Sequence, residues 1–216
     1  MEIIASLNEG FIKTLQIFFF TLLGSLPLGL IIALCILGKN KILKYFFEVL
    51  IWIMRGTPLM LQLLVIYYGP GLLFKNNIWQ GSNGRMLATL ASFIINYACY
   101  FAEIFRGGIN SIPKGQEEAG LVLGMSKTQI FFKIILKQVV KVILPSMGNE
   151  IITLVKDTSL ARTISVYEII WNGQSFIKAR GLIWPLFFTG VYYLLFCGVL
   201  TVLFNKWENK LKYFGK

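Results

Sequence analysis

Residues 14–38 read TLQIFFFTLLGSLPLGLIIALCILG and contain no charged side chain. A helix needs about 20 apolar residues to cross the hydrocarbon core of a bilayer, so this stretch is long enough to span one. Across the chain, 56% of the residues are hydrophobic and 14% are charged, and the mean hydropathy is +0.68. A soluble domain of this size needs more polar surface. The sequence therefore predicts an all-α integral membrane protein and excludes a soluble globular domain or a disordered chain.

Four further apolar stretches predict additional spans. The five expected transmembrane helices cover about residues 11–38, 48–69, 86–106, 139–160 and 183–205. The fourth is the weakest, because its uncharged stretches are short and Glu150 lies inside it. We expect residues 1–216 to form a single transmembrane domain, with a cytoplasmic loop over about residues 107–138.

The placement of the cations predicts the orientation. With five spans and the first connection inside the cell, 13 of the 21 Lys and Arg residues face the cytoplasm. Cytoplasmic loops are rich in Lys and Arg, so the N-terminus is expected outside and the C-terminus inside. The net charge of +11 then reflects the membrane flanks, and no nucleic-acid partner is needed to explain it. These cations are Lys39, Lys41, Lys44, Arg106, Lys114, Lys127, Lys133, Lys137, Lys141, Lys206, Lys210, Lys212 and Lys216.

Several kinds of chemistry are excluded by the composition. The chain has no histidine, so it cannot contain a Ser-His-Asp triad or a His-ligated metal site. Its three cysteines, Cys35, Cys99 and Cys197, lie far apart in apolar runs and predict neither a zinc site nor a disulfide framework. The sequence also lacks the GxxxxGK[ST] pattern of a phosphate-binding loop.

Polar residues recur on one face of three predicted spans. In the second span, Arg55 and Gln62 are seven residues apart. In the fourth span the recurring residues are Ser146, Glu150, Thr153 and Asp157, and in the third they are Thr89, Ser92, Asn96, Tyr100 and Glu103. Such faces must point into a bundle, a cavity or another chain, because polar groups are unfavourable in lipid. Polar contacts between associating helices are the alternative explanation for Ser146, Thr89 and Ser92.

Two carboxylates are the strongest candidates for contact with a transported solute. Glu150 and Asp157 share one helical face, and together they would attract a cationic or amino-bearing molecule. We expect Asn96, Asn149 and Thr153 to be their polar neighbours in a substrate-binding site. A local ion pair of Asp157 with Lys156 or Arg162 is the alternative.

Small residues in the first span predict close helix packing. Ser25, Gly29 and Ala33 follow one another at a spacing of four, which lets a neighbouring helix approach.

The predicted cytoplasmic loop contains a short helix with an acidic first turn. Glu117 and Glu118 precede Ala119 and Gly120, and Gly124 follows one turn later. Acidic residues are favourable at a helix N-terminus. The pattern alone fits an interfacial amphipathic helix as well as a docking segment.

Four motifs in this sequence, in the same order, resemble those of one family. Glu118-Ala119-Gly120-x-x-x-Gly124 resembles the EAA loop, Glu-Ala-Ala-x-x-x-Gly, of ABC importer permeases. Arg55-Gly56-Thr57-Pro58 resembles the RGTP element of the permeases for polar amino acids (the His/Glu/Gln/Arg/opine group). Gly148-Asn149-Glu150 and Lys156-Asp157-Thr158-Ser159-Leu160 resemble two further elements of that group, and the resemblance extends over about residues 10–210. Gly120 departs from it, since the family has alanine there.

The resemblance implies a type I ABC importer permease fold in the bacterial inner (cytoplasmic) membrane, with a chain that is not itself an enzyme. Glu117, Glu118, Ala119, Gly120 and Gly124 would form the coupling helix that docks on a separate ATPase subunit. That subunit would bind ATP and Mg²⁺, so no cofactor or metal is expected in this chain. The other implied partners are an extracellular amino-acid-binding protein and a second permease chain, either identical or related.

The substrate implied by the resemblance is a polar amino acid. Glu150 and Asp157 favour a cationic one such as arginine, lysine or histidine, and glutamine and cystine stay open. Among other functions, an ion-coupled secondary transporter could use the same two carboxylates, although no inverted internal repeat is evident. An intramembrane enzyme has little support, because no pair of nucleophile and base is evident.

Overall fold

The computed structural model describes residues 1–75 and 78–212, and within these ranges the protein is helical and contains no β-strand. This confirms the predicted all-α class. The α-helices are α1 (Glu2–Leu37), α2 (Lys41–Gly56), α3 (Leu59–Phe74), α4 (Gly81–Asn110), α5 (Gly115–Val122), α6 (Lys127–Ile130), α7 (Leu136–Asp157), α8 (Ile169–Arg180) and α9 (Trp184–Lys212). A π-helical turn (Phe131–Ile135) leads into α7, and a 3₁₀ helix (Thr158–Ile164) follows it.

Three of the described helices, α1, α4 and α9, are long and apolar enough to cross a membrane. The pair α2 and α3 makes a fourth candidate, bent by 107° at a short break. The helix α7 is not among them, because charged residues interrupt its 22 residues. Length and composition therefore support three or four spans, and the expected five remain a prediction.

The second predicted span, residues 48–69, is not one continuous helix. It breaks at Thr57 and Pro58, where Thr57 is extended with φ −122° and ψ 147°. A residue that precedes proline is disfavoured in the helical conformation, so α2 ends here and α3 begins after Pro58. The expectation that Arg55 and Gln62 share one face is therefore wrong, because that face required an unbroken helix.

The contact between α1 and α4 forms the centre of the bundle, and the two helices pack along much of their length. Ser25 and Ala33 are buried, and so is Gly29 between them. A Cβ atom at Gly29 would lie 2.9 Å from the carbonyl oxygen of Ala98 and 2.9 Å from the Cβ of Phe101. The structure thus confirms the close packing expected of this stripe. The helix α1 begins at Glu2, well before residue 11.

The remaining long helices surround this pair. The helix α7 packs between α4 and α9, and α8 packs against the start of α1. Asn172 on α8 donates a hydrogen bond from Nδ2 to the carbonyl oxygen of Ser6 at 2.7 Å, and Arg180 pairs with Glu2 at 3.0 Å. Large apolar side chains such as Leu23, Leu72 and Leu194 stay exposed, as expected for helices that face lipid.

Candidate functional site

A cavity of about 460 Å³ lies where the α2–α3 break meets α4 and α7. Glu150, Thr153 and Asp157 of α7 line one side of it, and Asn96 of α4 lines another. Four of the five residues predicted to contact substrate therefore share one cavity. The break itself, from Thr57 to Met60, supplies the opposing wall.

Asn149 is the predicted site residue that the structure does not bring to this cavity. Its side chain lines a separate groove of about 160 Å³ between α7 and α9, together with Thr201 and Asn205. Consecutive residues of an α-helix project about 100° apart, so Asn149 and its neighbour Glu150 face different sides of α7.

Asp157 is held by a tyrosine from the neighbouring helix α4. The hydroxyl of Tyr97 donates a hydrogen bond to Oδ2 of Asp157 at 2.7 Å, and Tyr97 is buried. The alternative of a local ion pair with Lys156 or Arg162 is thus replaced by a contact between helices. Tyr97 was not predicted from the sequence, because it lies one position beyond Asn96 and off the polar face of its helix.

Two amide side chains, Gln62 of α3 and Asn96 of α4, join the ends of the helix break, and we call them the amide clasp. Nε2 of Gln62 donates to the carbonyl oxygens of Met54 at 2.8 Å and Thr57 at 3.1 Å, and it lies 2.9 Å from the acceptor Oγ1 of Thr57. Nδ2 of Asn96 donates to Oε1 of Gln62 at 2.9 Å and to the Met54 carbonyl oxygen at 3.3 Å. Both side chains are buried.

The break between α2 and α3 is formed by the motif Arg55-Gly56-Thr57-Pro58. Arg55 and Gly56 close the last turn of α2, and Pro58 precedes the first residue of α3. The Arg55 guanidinium lies 5.2 Å from the centre of the Tyr100 ring, and Tyr100 also lines the cavity. Such a cation above an aromatic face is attracted by the electron-rich ring. The motif therefore places a positive charge beside an acidic cavity.

Charged residues of opposite sign lie near one another where Arg55 of α2 approaches α4. Glu103 lies 3.9 Å from Arg55 and accepts two hydrogen bonds from Arg106, at 3.1 and 2.8 Å. These side chains are partly exposed, so each pair contributes little to stability by itself.

The loop between α4 and α7 folds into the short helices α5 and α6. Glu117, Glu118 and Ala119 are exposed on α5, as are the apolar side chains of residues 121–123 that follow. Gly124 has φ +74°, a left-handed conformation that favours glycine and turns the chain toward α6. The segment thus presents an exposed acidic and apolar surface.

Gly120 differs from its neighbours in this loop, because it is buried beneath α6. A Cβ atom there would lie 2.6 Å from Cγ1 of Ile130. This contact gives a physical reason for the departure from the EAA pattern, since an alanine would force Ile130 to move. Gly120 shapes the loop, and Glu118 and Gly124 remain at its surface.

One further acidic residue, Glu168, is fully buried in the connection between α7 and α9. Its carboxylate accepts hydrogen bonds from the backbone amides of Ile170 and Trp171, both at 2.8 Å, and so begins α8. Burial raises the pKa of Glu168 to about 7, although these bonds and the charge of Arg162 favour the ionised form. Glu168 was not predicted from the sequence. The one signal for it was that a single acidic residue lies in the connection between α7 and α9.

Apolar spanning helices, a broken helix that opens onto an acidic cavity, and an exposed loop of short helices together define the class of protein as a membrane transport permease. Residues 25–213 match the family described as "Binding-protein-dependent transport system inner membrane component". The chain belongs to this family. It is a permease subunit of an ABC importer of the polar amino acid group, and ATP hydrolysis is carried out by a separate subunit. Membership argues against both the secondary transporter and the enzyme.

Several relatives are similar over most of the chain. The L-cystine transport system permease protein TcyB of Bacillus subtilis is 33% identical over 95% of this chain and 86% of the relative. The arginine transport system permease protein ArtQ of the same organism is 31% identical over 94% of this chain and 91% of the relative. The nopaline transport system permease protein NocM of Agrobacterium fabrum is 34% identical over 77% of this chain and 70% of the relative.

Solved structures show the same architecture. A chain from a crystal structure of an amino acid ABC transporter with histidines superposes with a TM-score of 0.84, at 29% identity, over 95% of this chain and 94% of that one. A chain of the MetNI methionine ABC transporter superposes with a TM-score of 0.76 at 16% identity, over 98% of both chains, and supports the fold alone. The type I permease fold expected from the resemblance is in agreement with these neighbours.

Proposed function

We propose that this chain forms the path for a polar amino acid with a cationic side chain, together with a second permease chain. The observation that carries the proposal is the shared cavity of Glu150 and Asp157, which places two carboxylates within reach of one solute. Thr153 lies between them on the same face of α7 and supplies a hydroxyl. Asn149 has no part in this site.

The charge balance favours a cationic amino acid. Such a substrate carries an α-ammonium, an α-carboxylate and a positive side chain, and the cavity supplies two carboxylates. Arg55 at the Tyr100 side supplies a cation that is suited to the α-carboxylate. The names of the relatives include arginine, and one similar structure contains histidines. Relatives named for cystine and glutamine make those amino acids the alternatives.

We further propose five membrane spans, with the N-terminus outside and the C-terminus inside. The bent pair α2 and α3 would form one span and α7 another. The low hydropathy of α7 is consistent with a helix that turns a polar face to the cavity. The Lys and Arg distribution supports this orientation. In it, α5 and α6 face the cytoplasm and α8 faces the outside.

Coupling to the ATPase is assigned to α5 and the turn at Gly124. Glu117, Glu118 and Ala119 offer an exposed acidic surface on a short helix, and Gly124 sets the direction of the following chain. The partner ATPase would bind ATP with Mg²⁺ and move this helix, and the movement would pass to the cavity through α4 and α7. An extracellular binding protein would deliver the amino acid.

Uptake into proteoliposomes tests the substrate and the coupling. The vesicles carry the permease and its ATPase, with or without internal ATP. The binding protein and radiolabelled arginine, lysine, histidine, glutamine or cystine are added outside. We expect ATP-dependent accumulation of the cationic amino acids. Preference for glutamine or cystine would contradict the cationic assignment, and uptake that follows an ion gradient without ATP would contradict the function itself.

A further inference from the structure

A helix break in the middle of a spanning segment leaves backbone polar groups without their usual partners. The last carbonyls of α2 lose their intrahelical donors, and lipid or a dry interior offers none. In this protein, side chains provide them. The Thr57 hydroxyl donates to the Ile53 carbonyl oxygen at 2.8 Å, and the amide clasp of Gln62 and Asn96 serves the carbonyls of Met54 and Thr57.

The two amides of the clasp depend on each other. When Nε2 of Gln62 donates to the backbone carbonyls at the break, Oε1 of Gln62 points toward α4. In that position Oε1 accepts the hydrogen bond from Asn96. Exposure of the two residues is 8% and 4%, so water cannot readily replace either partner. The clasp therefore fixes α2, α3 and α4 relative to one another at a single point.

That point is also the wall of the proposed substrate cavity. Thr57 is a partner of the clasp, and it begins the stretch that lines the cavity opposite Glu150 and Asp157. The hydrogens on Nδ2 of Asn96 are directed at protein atoms, so its amide nitrogen serves the break although the residue borders the cavity.

From this geometry we infer that Gln62 and Asn96 are positioning residues, whose paired amides hold the helix break in the shape that sets the affinity of the cavity for its substrate. The inference rests on the proposed function of that cavity. The clasp acts through the wall from Thr57 to Met60, and it leaves the charges of Glu150 and Asp157 unchanged.

A double-mutant cycle in the full transporter tests this role. The variants are Gln62→Met, Asn96→Leu and the double variant, each reconstituted with the ATPase and binding protein and assayed for ATP-driven uptake of radiolabelled L-arginine. Each single variant is expected to raise KM about tenfold with Vmax within about twofold, and the double variant no further than the worse single one, because coupled residues are not additive. Gln80→Met is the matched control, since Gln80 is exposed and its side chain does not cap α4.

The variant Gln62→Glu keeps the size of the side chain but replaces the amide that donates to the backbone carbonyls by a carboxyl group. It should raise KM like Gln62→Met, and it replaces that variant if methionine prevents assembly with the ATPase. A wild-type KM in these variants, additive effects in the cycle, or a loss of Vmax at unchanged KM would each overturn the inference.

A readout that needs no transport separates this inference from the proposed function. Hydrogen–deuterium exchange of the backbone amides of residues 57 and 59–62 should become faster in Gln62→Met and Asn96→Leu, and unchanged exchange would refute the clasp. Failure of the wild-type complex to take up any amino acid with ATP would count against the proposed function, and the exchange result would still decide whether the clasp holds the break.

Discussion

The α1–α4 contact and the α2–α3 break are stabilised in different ways inside the same bundle. At Gly29 the two backbones come so close that no side chain fits between them. At Thr57 and Pro58 the backbone opens, and the side chains of Gln62 and Asn96 supply the missing hydrogen bonds. The regular helices therefore pack closely where a residue has no side chain. The irregular segment instead needs polar side chains that hydrogen-bond to its backbone carbonyls.

The packed contact should be the more sensitive of the two regions. Gly29→Leu places a side chain against the Ala98 carbonyl and Phe101, and neither the backbone nor a buried ring can move away easily. We expect α1 to separate from α4 and stability to fall by about 3 kcal/mol, measured by thermal unfolding in detergent. Gly198→Leu is the control, because a Cβ at Gly198 meets nothing within 4 Å. Equal melting temperatures for the two variants would show that the contact is not tight.

Substitutions in the cavity should reduce transport and leave the fold intact. Glu150→Gln and Asp157→Asn remove one charge each with little change in shape. An interaction of a charged group contributes about 1.5–3 kcal/mol, so we expect arginine uptake to fall about 10- to 100-fold. The melting temperature should change little. Asn149→Leu is the matched control, since Asn149 lies in the other groove. If Asn149→Leu lowered uptake as strongly as the carboxylate variants, the placement of the site would be wrong.

The same two regions show how far the sequence could be used to predict the structure. Apolar length and the spacing of Ser25, Gly29 and Ala33 were enough to predict helices and one close contact, because packing leaves a periodic signal. The break was missed although Thr57-Pro58 marked it, because Arg55 and Gln62 could be placed on one face of an unbroken helix. The Tyr97–Asp157 bond joins residues 60 positions apart, and no local pattern predicts which of several tyrosines makes such a contact.

A third region, around Glu168, combines close packing with a satisfied polar group and should make stability depend on pH. The ordinary pKa of 4.5 applies to the unfolded chain, and the folded protein has a pKa of about 7 at this residue. The folded state therefore binds the proton more tightly, and stability should fall as the pH rises from about 4.5 to 7 and then level off, by at most about 3 kcal/mol. Besides the carboxylate, the neighbouring Tyr193 hydroxyl and the Arg162 charge belong to this region.

Thermal unfolding in detergent at pH 5 and pH 8 measures this dependence. Glu168→Gln keeps an oxygen that can accept the α8 amides but cannot ionise, so its difference between the two pH values should be smaller than that of the wild type. Glu9→Gln serves as the control, because Glu9 is exposed. A wild type that is more stable at pH 8 than at pH 5 would contradict the sign of the effect.

The smallest effect is expected in the loop that we propose couples to the ATPase. Backbone conformation, not packing, constrains the sequence at this turn. A Cβ atom at Gly124 would meet nothing within 4 Å, yet the φ of +74° at this position is strained for any residue with a side chain. Gly124→Ala should therefore destabilise the turn by about 1 kcal/mol and lower ATP-driven uptake a few-fold, with the amount of permease in the membrane unchanged. Gly115→Ala is the control, because Gly115 has equal space and no positive φ. Identical uptake by the two alanine variants would mean that the shape of this turn does not limit coupling.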